Sequence, residues 1–403
     1  MNSPPPTTDT SPEKLRAHMV DRIVTGRATS TRVEEALRTV PRHAFVPAAP
    51  ITKAYANQAV ITKRDRDGAS LSCASVPTLV ALMLDQLDVP PGARILEIGA
   101  GTGYNAALLA YLAGPCGHVS TVDIDSEVTA QARAALDSNG FNNVHVVTGD
   151  GALGDPDHAP FDRAIVTAGA WDIPAAWWDQ LATGGRLVVP LRWRGQTRTI
   201  AFVREADRMR SESVELCGFV PMVGQDGERT DRIDSGGLVS LYWDADQPIA
   251  PGALHGVLDQ PKATTWSGET VAANEPFDGL WLRLTGTEPG TCRIAADEAA
   301  VTSGLCTPAI PIRTPALVED GSLAYFVTRR REDSEGEPRW DLGAIGHGPA
   351  GQRLADRLCE QIRAWSQDRT ARLSVTAYPA GTPDDQLPEG LVIDKHQSRL
   401  VVS

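Results

Sequence analysis

The sequence has no apolar run approaching the roughly 18 residues that suggest a membrane-spanning helix. Residues 1–6 lack the basic and apolar regions of a signal peptide, so a cytoplasmic protein without a membrane partner is expected. The six cysteines form no C-x-x-C pair and no cluster with histidine, which predicts neither a disulfide framework nor a metal site; we interpret them as small buried apolar residues. Acidic residues outnumber basic residues, and the formal net charge is −13. This charge argues against nucleic acid as a partner, because phosphate contacts need a basic face.

The length of 403 residues predicts two domains, each large enough to bury a core. Residues 1–12 are rich in proline, serine and threonine and are predicted to be a disordered tail. After Pro221 short apolar runs alternate with segments rich in glycine and aspartate, which indicates a domain boundary. We therefore expect a first domain over residues 13–235 and a second over residues 236–403.

A glycine-rich loop is the most informative feature that is present. Residues 94–98 have the pattern of a buried strand containing Glu97, and Gly99, Gly101 and Gly103 follow at intervals of two. A dinucleotide site needs its third glycine three positions after the second, so this loop does not fit NAD. A Gly-x-Gly-x-Gly turn instead allows the methionine part of S-adenosylmethionine (SAM) to lie against the backbone, because no Cβ intervenes. The alternative is an ordinary strand-to-helix turn.

Further polar residues follow the next predicted strands. Asp123 ends the second strand, at the position where a carboxylate would bind the two hydroxyls of a ribose. Asp150 and Gly151 follow the third strand and are expected near an adenine amine, and Thr167 ends the fourth. Each carboxylate taken alone could be a solvated turn residue, but their succession favours a cofactor site that also includes Glu97.

Strands that alternate with helical segments predict an α/β fold, a Rossmann-like parallel sheet with its ligand at the carboxyl ends of the strands. A capped helix is predicted from Ser11 through Ile23, and a second helix over residues 31–39. The five predicted strands cover residues 94–98, 118–124, 144–147, 161–167 and 184–190.

Four segments lie outside these motifs, at residues 40–47, 54–55, 74–83 and 219–224. Together, and in the same order along the chain, they resemble the protein L-isoaspartyl (D-aspartyl) O-methyltransferase family. The resemblance covers about residues 13 to 230 and implies a SAM-dependent enzyme that methylates a carboxylate next to a peptide bond and releases S-adenosylhomocysteine. It also implies a catalytic serine, which corresponds to Ser75; from the residues alone, Ser75 could instead cap a helix that begins near Pro77.

Two departures from the family pattern concern the substrate side. Residues 62–68 form a charged insert where the family has a short gate over the active site, which suggests a changed substrate; a solvated loop is the alternative. Asn57 stands where the family usually has an acidic residue.

The second domain is predicted to be an α+β module with one strong amphipathic helix over residues 350–367. It resembles the extension of aspartyl methyltransferases that accompany ribosomally made modified peptides, such as lanthipeptides, lasso peptides and graspetides, and this resemblance implies peptide recognition. His347 is interpreted as a turn residue rather than a ligand or base, and Trp266 and Trp281 as core residues rather than a peptide platform.

Three functions follow as hypotheses. The first is methylation of an aspartate or isoaspartate in a modified precursor peptide, leading to succinimide and isoaspartate. The second is general repair of isoaspartyl residues in damaged proteins, and the third is a SAM-binding scaffold without catalysis. The sequence leaves the oligomeric state open.

Overall fold

A computed structural model describes residues 11–66, 68, 70–331, 338–371 and 373–403. The chain forms two compact units. The first comprises the described residues up to Leu191 together with Arg198–Val223, and the second comprises Arg192–Thr197 and the described residues from Gly224 onward. The division therefore falls after Val223 rather than after residue 235, and a short inner segment joins the second unit.

The first unit begins with the two predicted helices. Ser11 caps the first helix through its side chain, which accepts a hydrogen bond from the Lys14 amide, and the helix begins at Pro12, so residues 11 and 12 belong to this capped helix rather than to a tail. Residues 1–10 of the predicted tail lie outside the described residues. The helices and strands of this unit are α1 (Pro12–Gly26), α2 (Thr31–Thr39), α3 (Ile51–Ala54), β1 (Val60–Arg64), β2 (Ser70–Ala74), α4 (Pro77–Leu87), β3 (Arg94–Ile98), α5 (Tyr104–Ala113), β4 (His118–Asp123), α6 (Ser126–Ser138), β5 (Val144–Thr148), β6 (Phe161–Val166), α7 (Ala175–Gln180), β7 (Leu181–Trp193), β8 (Gln196–Arg204) and β9 (Met209–Leu216).

The predicted parallel sheet is confirmed. Its strands lie in the order β5-β4-β3-β6-β7, with parallel pairing throughout, and β8 and β9 extend it beyond β7 as strands that pair antiparallel with each other. The chain runs from β3 outward to β5 and then returns to β6 on the other side of β3. This return creates a topological switch point between β3 and β6, where open α/β sheets bind ligands at the carboxyl ends of their strands.

The core of the first unit explains why the early helices form where the pattern predicts. Met19 and Ile23 of α1 and Val33 and Leu37 of α2 are buried in one apolar cluster. That cluster also contains most of α5, whose residues are nearly all apolar, as expected for a helix that is buried on most sides.

The second unit is an α+β module, as predicted. An antiparallel sheet has the strand order β10-β11-β13-β14-β15-β16-β12, while β17 and β18 each pair with β19. Its elements are β10 (Glu228–Arg232), β11 (Val239–Asp244), β12 (Ala263–Ala272), α8 (Asp278–Thr287), β13 (Thr291–Ala296), α9 (Glu298–Thr302), β14 (Thr314–Glu319), β15 (Ser322–Arg330), β16 (Arg339–His347), α10 (Gly351–Gln367), β17 (Val375–Pro379), β18 (Leu391–Asp394) and β19 (Ser398–Val402).

The amphipathic helix predicted over residues 350–367 is confirmed as α10. Its apolar stripe, Leu354, Leu358, Ile362 and Trp365, is buried against the sheet in a second-unit core. The burial of one face, with charged residues on the other, is what the 3.6-residue period indicates.

The sequence interpreted Trp266 and Trp281 of the second unit as core residues and His347 as a turn residue. Trp281 is buried and donates its indole N–H to the Arg194 carbonyl, as expected of a core residue, whereas Trp266 is only half-buried, with the Arg329 guanidinium 4.1 Å from its ring centre. The prediction for His347 is wrong: it is the fully buried last residue of β16, and its ring stacks on Tyr325 at 5.9 Å. Its strand neighbours remove it from solvent, and this burial lowers its pKa.

The prediction that the cysteines are small buried apolar residues is confirmed for four of the six. The cysteines are free thiols, and four of the six are buried as small apolar residues; Cys73 is half-buried and Cys116 is exposed, against that interpretation.

Among the described residues, no helix combines the length and the apolar character needed to cross a bilayer.

Candidate active site

A cavity of about 520 Å³ opens at the carboxyl ends of β3, β4 and β6, at the switch point of the sheet. Most of the residues that the sequence assigned to a cofactor site line this cavity, although they are far apart in the chain. The cavity-lining residues among them are Ser75, Gly99, Gly101, Asp123, Asp150, Gly151 and Thr167. Glu97 and Gly103 are not among them.

The glycine loop is close-packed on one side and open on the other. Gly99 has φ +98°, and a Cβ there would lie 2.4 Å from the Thr167 hydroxyl, so the position requires glycine. Gly101 has φ +50°, and its Cβ would project toward the Cys73 carbonyl at 3.5 Å, across the cavity wall. Gly101 therefore keeps open the space that the sequence assigned to the methionine part of SAM.

Gly103 has a different role from the one predicted. It precedes α5 with φ +81°, and a Cβ there would lie 3.2 Å from the Ala132 carbonyl and 3.3 Å from Leu136 Cγ of α6. The third glycine thus permits close packing of two helices, and the structure does not bring it to the cavity.

Thr167 fixes the turn after β6 against the glycine loop. Its hydroxyl lies 2.8 Å from the Gly99 carbonyl and 3.1 Å from the Ile98 carbonyl, to which it donates. These contacts join the ends of β3 and β6, on either side of the switch point, beside the cavity. They give a structural reason for a hydroxyl side chain at position 167.

Asp123 ends β4 with its carboxylate at the cavity. One oxygen accepts a hydrogen bond from the Gly101 amide at 3.1 Å, and the other accepts one from the Asp125 amide at 3.2 Å. Each carboxylate oxygen can accept further bonds, so the group is oriented by the backbone and keeps acceptor capacity for a pair of hydroxyls.

Asp150 and Gly151 form the wall that follows β5. The Asp150 carboxylate accepts from the Ala152 amide at 2.9 Å and so caps a short 3₁₀ turn. A Cβ on Gly151 would lie 2.5 Å from Ile98 Cγ2, which explains glycine at this position, and the Gly151 carbonyl accepts from the Trp177 indole.

Glu97 does not reach the cavity, which corrects its predicted role. Its side chain is fully buried; one carboxylate oxygen accepts from Asn105 at 2.8 Å and the other from Thr121 at 2.6 Å. Burial raises the pKa of Glu97 to about 7, although the two hydrogen bonds oppose the rise. Since Asn105 lines the cavity, Glu97 acts on the site by holding Asn105.

Ser75 is half-buried in the cavity wall, directly after β2. Helix α4 begins at Pro77 as predicted, but its N-cap residue is Val76 and no side chain of the cap residue bonds to the helix. The capping interpretation of Ser75 is therefore wrong. Burial raises the pKa of the neighbouring Cys73 thiol, and a hydrogen bond with Ser75 partly offsets this rise.

Arg42 positions this wall and was not singled out from the sequence. Its side chain is completely buried and donates to the carbonyls of Ala54, Ala74 and Ser75 at 2.9, 3.1 and 2.7 Å. The guanidinium also lies 5.0 Å from the centre of the Tyr104 ring. An arginine within the largely apolar segment 40–47 was the available signal, since a buried charge needs several partners.

Asn57 supplies the helix cap that Ser75 does not. Its side-chain oxygen accepts from the Thr78 amide at 3.2 Å and from the Thr78 hydroxyl at 3.1 Å, at the first turn of α4. Asn57 is exposed and does not line the cavity. An amide oxygen suffices for this bond, so the departure from an acidic residue is compatible with a structural role.

Replacing Asn57 by alanine is expected to lower the free energy of unfolding by about 1 kcal/mol, because the first turn of α4 loses an acceptor for one of its unpaired amides. Urea unfolding measures this loss. Turnover per folded molecule should stay at the wild-type value; a large fall in kcat with unchanged stability would place Asn57 in the reaction instead.

The charged insert forms part of a two-stranded hairpin, β1 and β2. The Lys63 ammonium lies 2.7 Å from both Asp125 and Glu127 at the start of α6, whereas Arg64, Asp65 and Arg66 are exposed; residue 67 lies outside the described residues. Ile61 and residues 70–74 of the hairpin line the cavity. The insert is thus tethered at one lysine and solvated at its tip.

These features fit SAM. A volume of about 520 Å³ falls within the usual range for a small-molecule site, about 300–1,000 Å³. Gly101 leaves a backbone cradle that a Cβ would fill, and the carboxylates of Asp123 and Asp150 offer acceptors for hydroxyl and amine groups.

Comparison with known proteins agrees with this site. Residues 14–227, more than half of the chain, match the family model described as protein-L-isoaspartate(D-aspartate) O-methyltransferase. The chain belongs to this family. It is accordingly a SAM-dependent protein-L-isoaspartate O-methyltransferase, which confirms the resemblance, the cofactor and the class of enzyme.

Two relatives show how far the likeness extends. The protein-L-isoaspartate O-methyltransferase of Methanoregula boonei is 41% identical over 53% of this chain and 94% of its own length, and that of Methanopyrus kandleri is 38% identical over 53% and 93%. A solved structure described as a protein-L-isoaspartate O-methyltransferase matches 90% of this chain and 96% of its own, with a TM-score of 0.51 and 19% identity. The similarity in fold therefore reaches well beyond the isoaspartyl methyltransferase domain.

Proposed function

We propose that this isoaspartyl methyltransferase acts on isoaspartyl residues of varied peptides and proteins, in the manner of a repair enzyme. The family match over residues 14–227 and the relatives described as protein-L-isoaspartate O-methyltransferases support the substrate class. The position of the Ser75 segment supports the reaction: the Cys73 carbonyl lies 3.5 Å from the Cβ position of Gly101, so this wall lies directly over the glycine loop. A substrate carboxylate beside Ser75 would then be close to the methionine part of the cofactor.

The reaction asks for positioning more than for acid–base chemistry. Bound SAM supplies a methyl group on a positively charged sulfur, which passes to the carboxylate oxygen as S-adenosylhomocysteine leaves. A carboxylate is already ionised at neutral pH, so no general base is required. The chain contributes by holding the reacting groups close and in line and by excluding water from the cavity.

The positioning of the substrate and of the cofactor is assigned to particular residues. In the proposal, the Ser75 hydroxyl donates a hydrogen bond to one carboxylate oxygen and leaves the other free to attack, while Arg42 holds the Ser75 backbone in place. Asp123 and Asp150 accept from the ribose and adenine groups, and Gly101 admits the methionine part. The methyl ester then reacts further without help from these residues: the next backbone amide nitrogen displaces methanol, a succinimide forms, and water opens it to aspartate or isoaspartate.

Paired synthetic peptides test the substrate. Each pair has the same sequence with either aspartate or isoaspartate at one position, and methyl transfer is followed by radiolabelled SAM and mass spectrometry. We expect the isoaspartyl member to be methylated and the aspartyl member to be inert. Methylation of only the aspartyl member would contradict the proposal.

Ser75→Ala is expected to reduce kcat about tenfold or more, since about 1.4 kcal/mol of transition-state stabilisation is lost with the hydrogen bond. Stability should change by less than about 0.5 kcal/mol, because the Ser75 side chain caps no helix. Single-turnover kinetics and urea unfolding separate the two quantities. Asn57→Ala serves as the matched control, with the opposite pattern of effects; a wild-type kcat for Ser75→Ala would remove Ser75 from the mechanism.

A second candidate function is methylation of one dedicated modified precursor peptide. The observation that favours it is the second unit, most of which lies beyond the matched residues 14–227 and which we propose as a peptide-recognition module. The solved isoaspartyl methyltransferase that matches 90% of this chain weighs against it, because its fold is shared over a similar length.

Sequence dependence separates the two candidates. For isoaspartyl peptides with unrelated flanking sequences, a repair enzyme should show kcat/KM values that differ by about tenfold, or about 1.4 kcal/mol. A dedicated enzyme should reject nearly all of them. The full chain is needed for this assay, because Arg192–Thr197 belongs to the second unit and a truncation after Val223 would remove Asp244 and Asp246, the ion-pair partners of Arg194.

A further inference from the structure

Three histidines and one aspartate meet at the end of the parallel sheet that does not carry the cofactor cavity. His118 is the first residue of β4 and His145 the second residue of β5, whereas Asp123 is the last residue of β4 and Asp150 follows the other end of β5. Asp155 and His158 come from the turn that precedes β6. We name His118, His145, Asp155 and His158 the histidine cluster.

Three members of the histidine cluster, His145, Asp155 and His158, are close enough to share one ion. A ring nitrogen of His145, a carboxylate oxygen of Asp155 and a ring nitrogen of His158 all lie within 4.8 Å of one another. The ring centres of His145 and His158 are 4.6 Å apart, and His118 stacks on His158 at 5.0 Å with nearly parallel planes. Small side-chain rotations would therefore bring the three donor atoms around a common centre.

The cluster is held in place by contacts outside it. Asp155 is only 5% exposed, and its amide donates to the Gln180 side chain at 2.8 Å. Arg94 donates to the carbonyls of His158 and Pro160, which fixes the other end of the turn. A site that is supported in this way loses little conformational entropy when it binds an ion.

The Asp155 carboxylate also orients an imidazole. It lies 2.9 Å from His158 Nδ1, an arrangement in which a carboxylate fixes the tautomer and direction of a metal-binding histidine. An ion bound between the two side chains would replace the proton that they share, with His158 Nδ1 and an Asp155 carboxylate oxygen as two of its ligands.

We propose that His145, Asp155 and His158, with His118 packed beside them, bind one divalent transition-metal ion of the zinc type. Imidazole nitrogen and carboxylate oxygen are ligands that Zn²⁺, Ni²⁺ and Co²⁺ accept, whereas Mg²⁺ and Ca²⁺ prefer oxygen ligands alone. Three protein ligands, one of them the exposed His145, leave a position for water, so the site is exchangeable rather than a closed structural centre. The sequence contains no familiar metal signature because the ligands come from two separate segments, β5 and the turn before β6.

Calorimetric titration of the full-length, tag-free protein with zinc chloride tests the proposal. We expect one equivalent of Zn²⁺ to bind with micromolar affinity, and an excess of Mg²⁺ to leave the titration unchanged. His145→Ala should weaken binding at least tenfold; this residue is exposed, so its removal leaves the core intact. Asp155→Asn should weaken binding similarly, since the amide keeps the size of the side chain and loses its charge.

Two matched variants exclude other sources of binding. His255, an exposed histidine of the second unit, should be replaceable by alanine with unchanged affinity. Cys116→Ser should also leave the affinity unchanged, although this exposed thiol lies two residues before His118. Absorption of bound Co²⁺ in the visible range provides an independent readout, and its intensity should fall in His145→Ala.

Each possible result of these titrations either supports or contradicts the proposed zinc site. Stoichiometric zinc binding that is lost in His145→Ala and Asp155→Asn and kept in His255→Ala and Cys116→Ser supports the site. Absence of stoichiometric binding, equal binding by wild type and His145→Ala, or loss of binding in Cys116→Ser overturns it. None of these results depends on methyltransferase activity.

Discussion

Gly101→Val is expected to abolish SAM binding while the first unit stays folded. The valine side chain would project from the glycine loop into the cavity, and its Cβ alone would lie 3.5 Å from the Cys73 carbonyl on the opposite wall. The backbone there has φ +50°, a conformation that a β-branched residue adopts only with strain. Calorimetry should show at least a hundredfold loss of affinity, or about 2.7 kcal/mol.

A matched variant separates steric exclusion from backbone strain. Gly140 has φ +78° in the turn after α6, and a Cβ there would meet nothing within 4 Å. Gly140→Val should therefore share the cost in stability and retain SAM affinity. If Gly101→Val bound SAM as tightly as wild type, the cavity would not be the cofactor site.

The stability of the protein should depend on pH through Glu97. Its pKa is raised by burial to about 7 in the folded state, from an ordinary value of 4.5. Because the folded state holds the proton more tightly, the associated stabilisation is fully present below about pH 4.5 and is lost as the pH rises through 7. At about 1.4 kcal/mol for each pH unit between these values, the contribution is about 3.5 kcal/mol.

The measurement compares wild type with Glu97→Gln, which mimics the protonated acid. The free energy of unfolding of the wild type, relative to the variant, should fall by about 2–3 kcal/mol between about pH 5 and pH 8. The comparison removes the titration of other groups, which the two proteins share. Parallel pH profiles for the two proteins would show that Glu97 is ionised in the folded state across this range.

Where the sequence signal is local, the residues predicted from it come together in the structure. A buried strand followed by a glycine turn, and a carboxylate at the end of the next strand, are patterns of neighbouring residues, and Gly101, Asp123 and Asp150 do line one cavity. The parallel sheet then brings the strand ends to one edge, so correct strand assignments place these residues together.

Side-chain direction is where the same reasoning failed. Glu97 belongs to the strand that carries the glycine loop, but successive side chains of a strand point to opposite faces, and that of Glu97 enters the core beside Thr121 and Asn105. Gly103 shares the spacing of the loop but faces α6. A spacing specifies which residues are near in the chain, and the pleat and the packing of the next helix decide where each one faces.

Contacts between residues that are far apart in the sequence became evident only from the tertiary structure. Asn57 caps a helix that begins 20 residues later, and Arg42 holds the Ser75 carbonyl from 33 residues away. The histidine cluster combines strand starts with a turn. Strand register and helix packing create such contacts at the cost of loop closure, and no local pattern of residue types records which distant segments will meet.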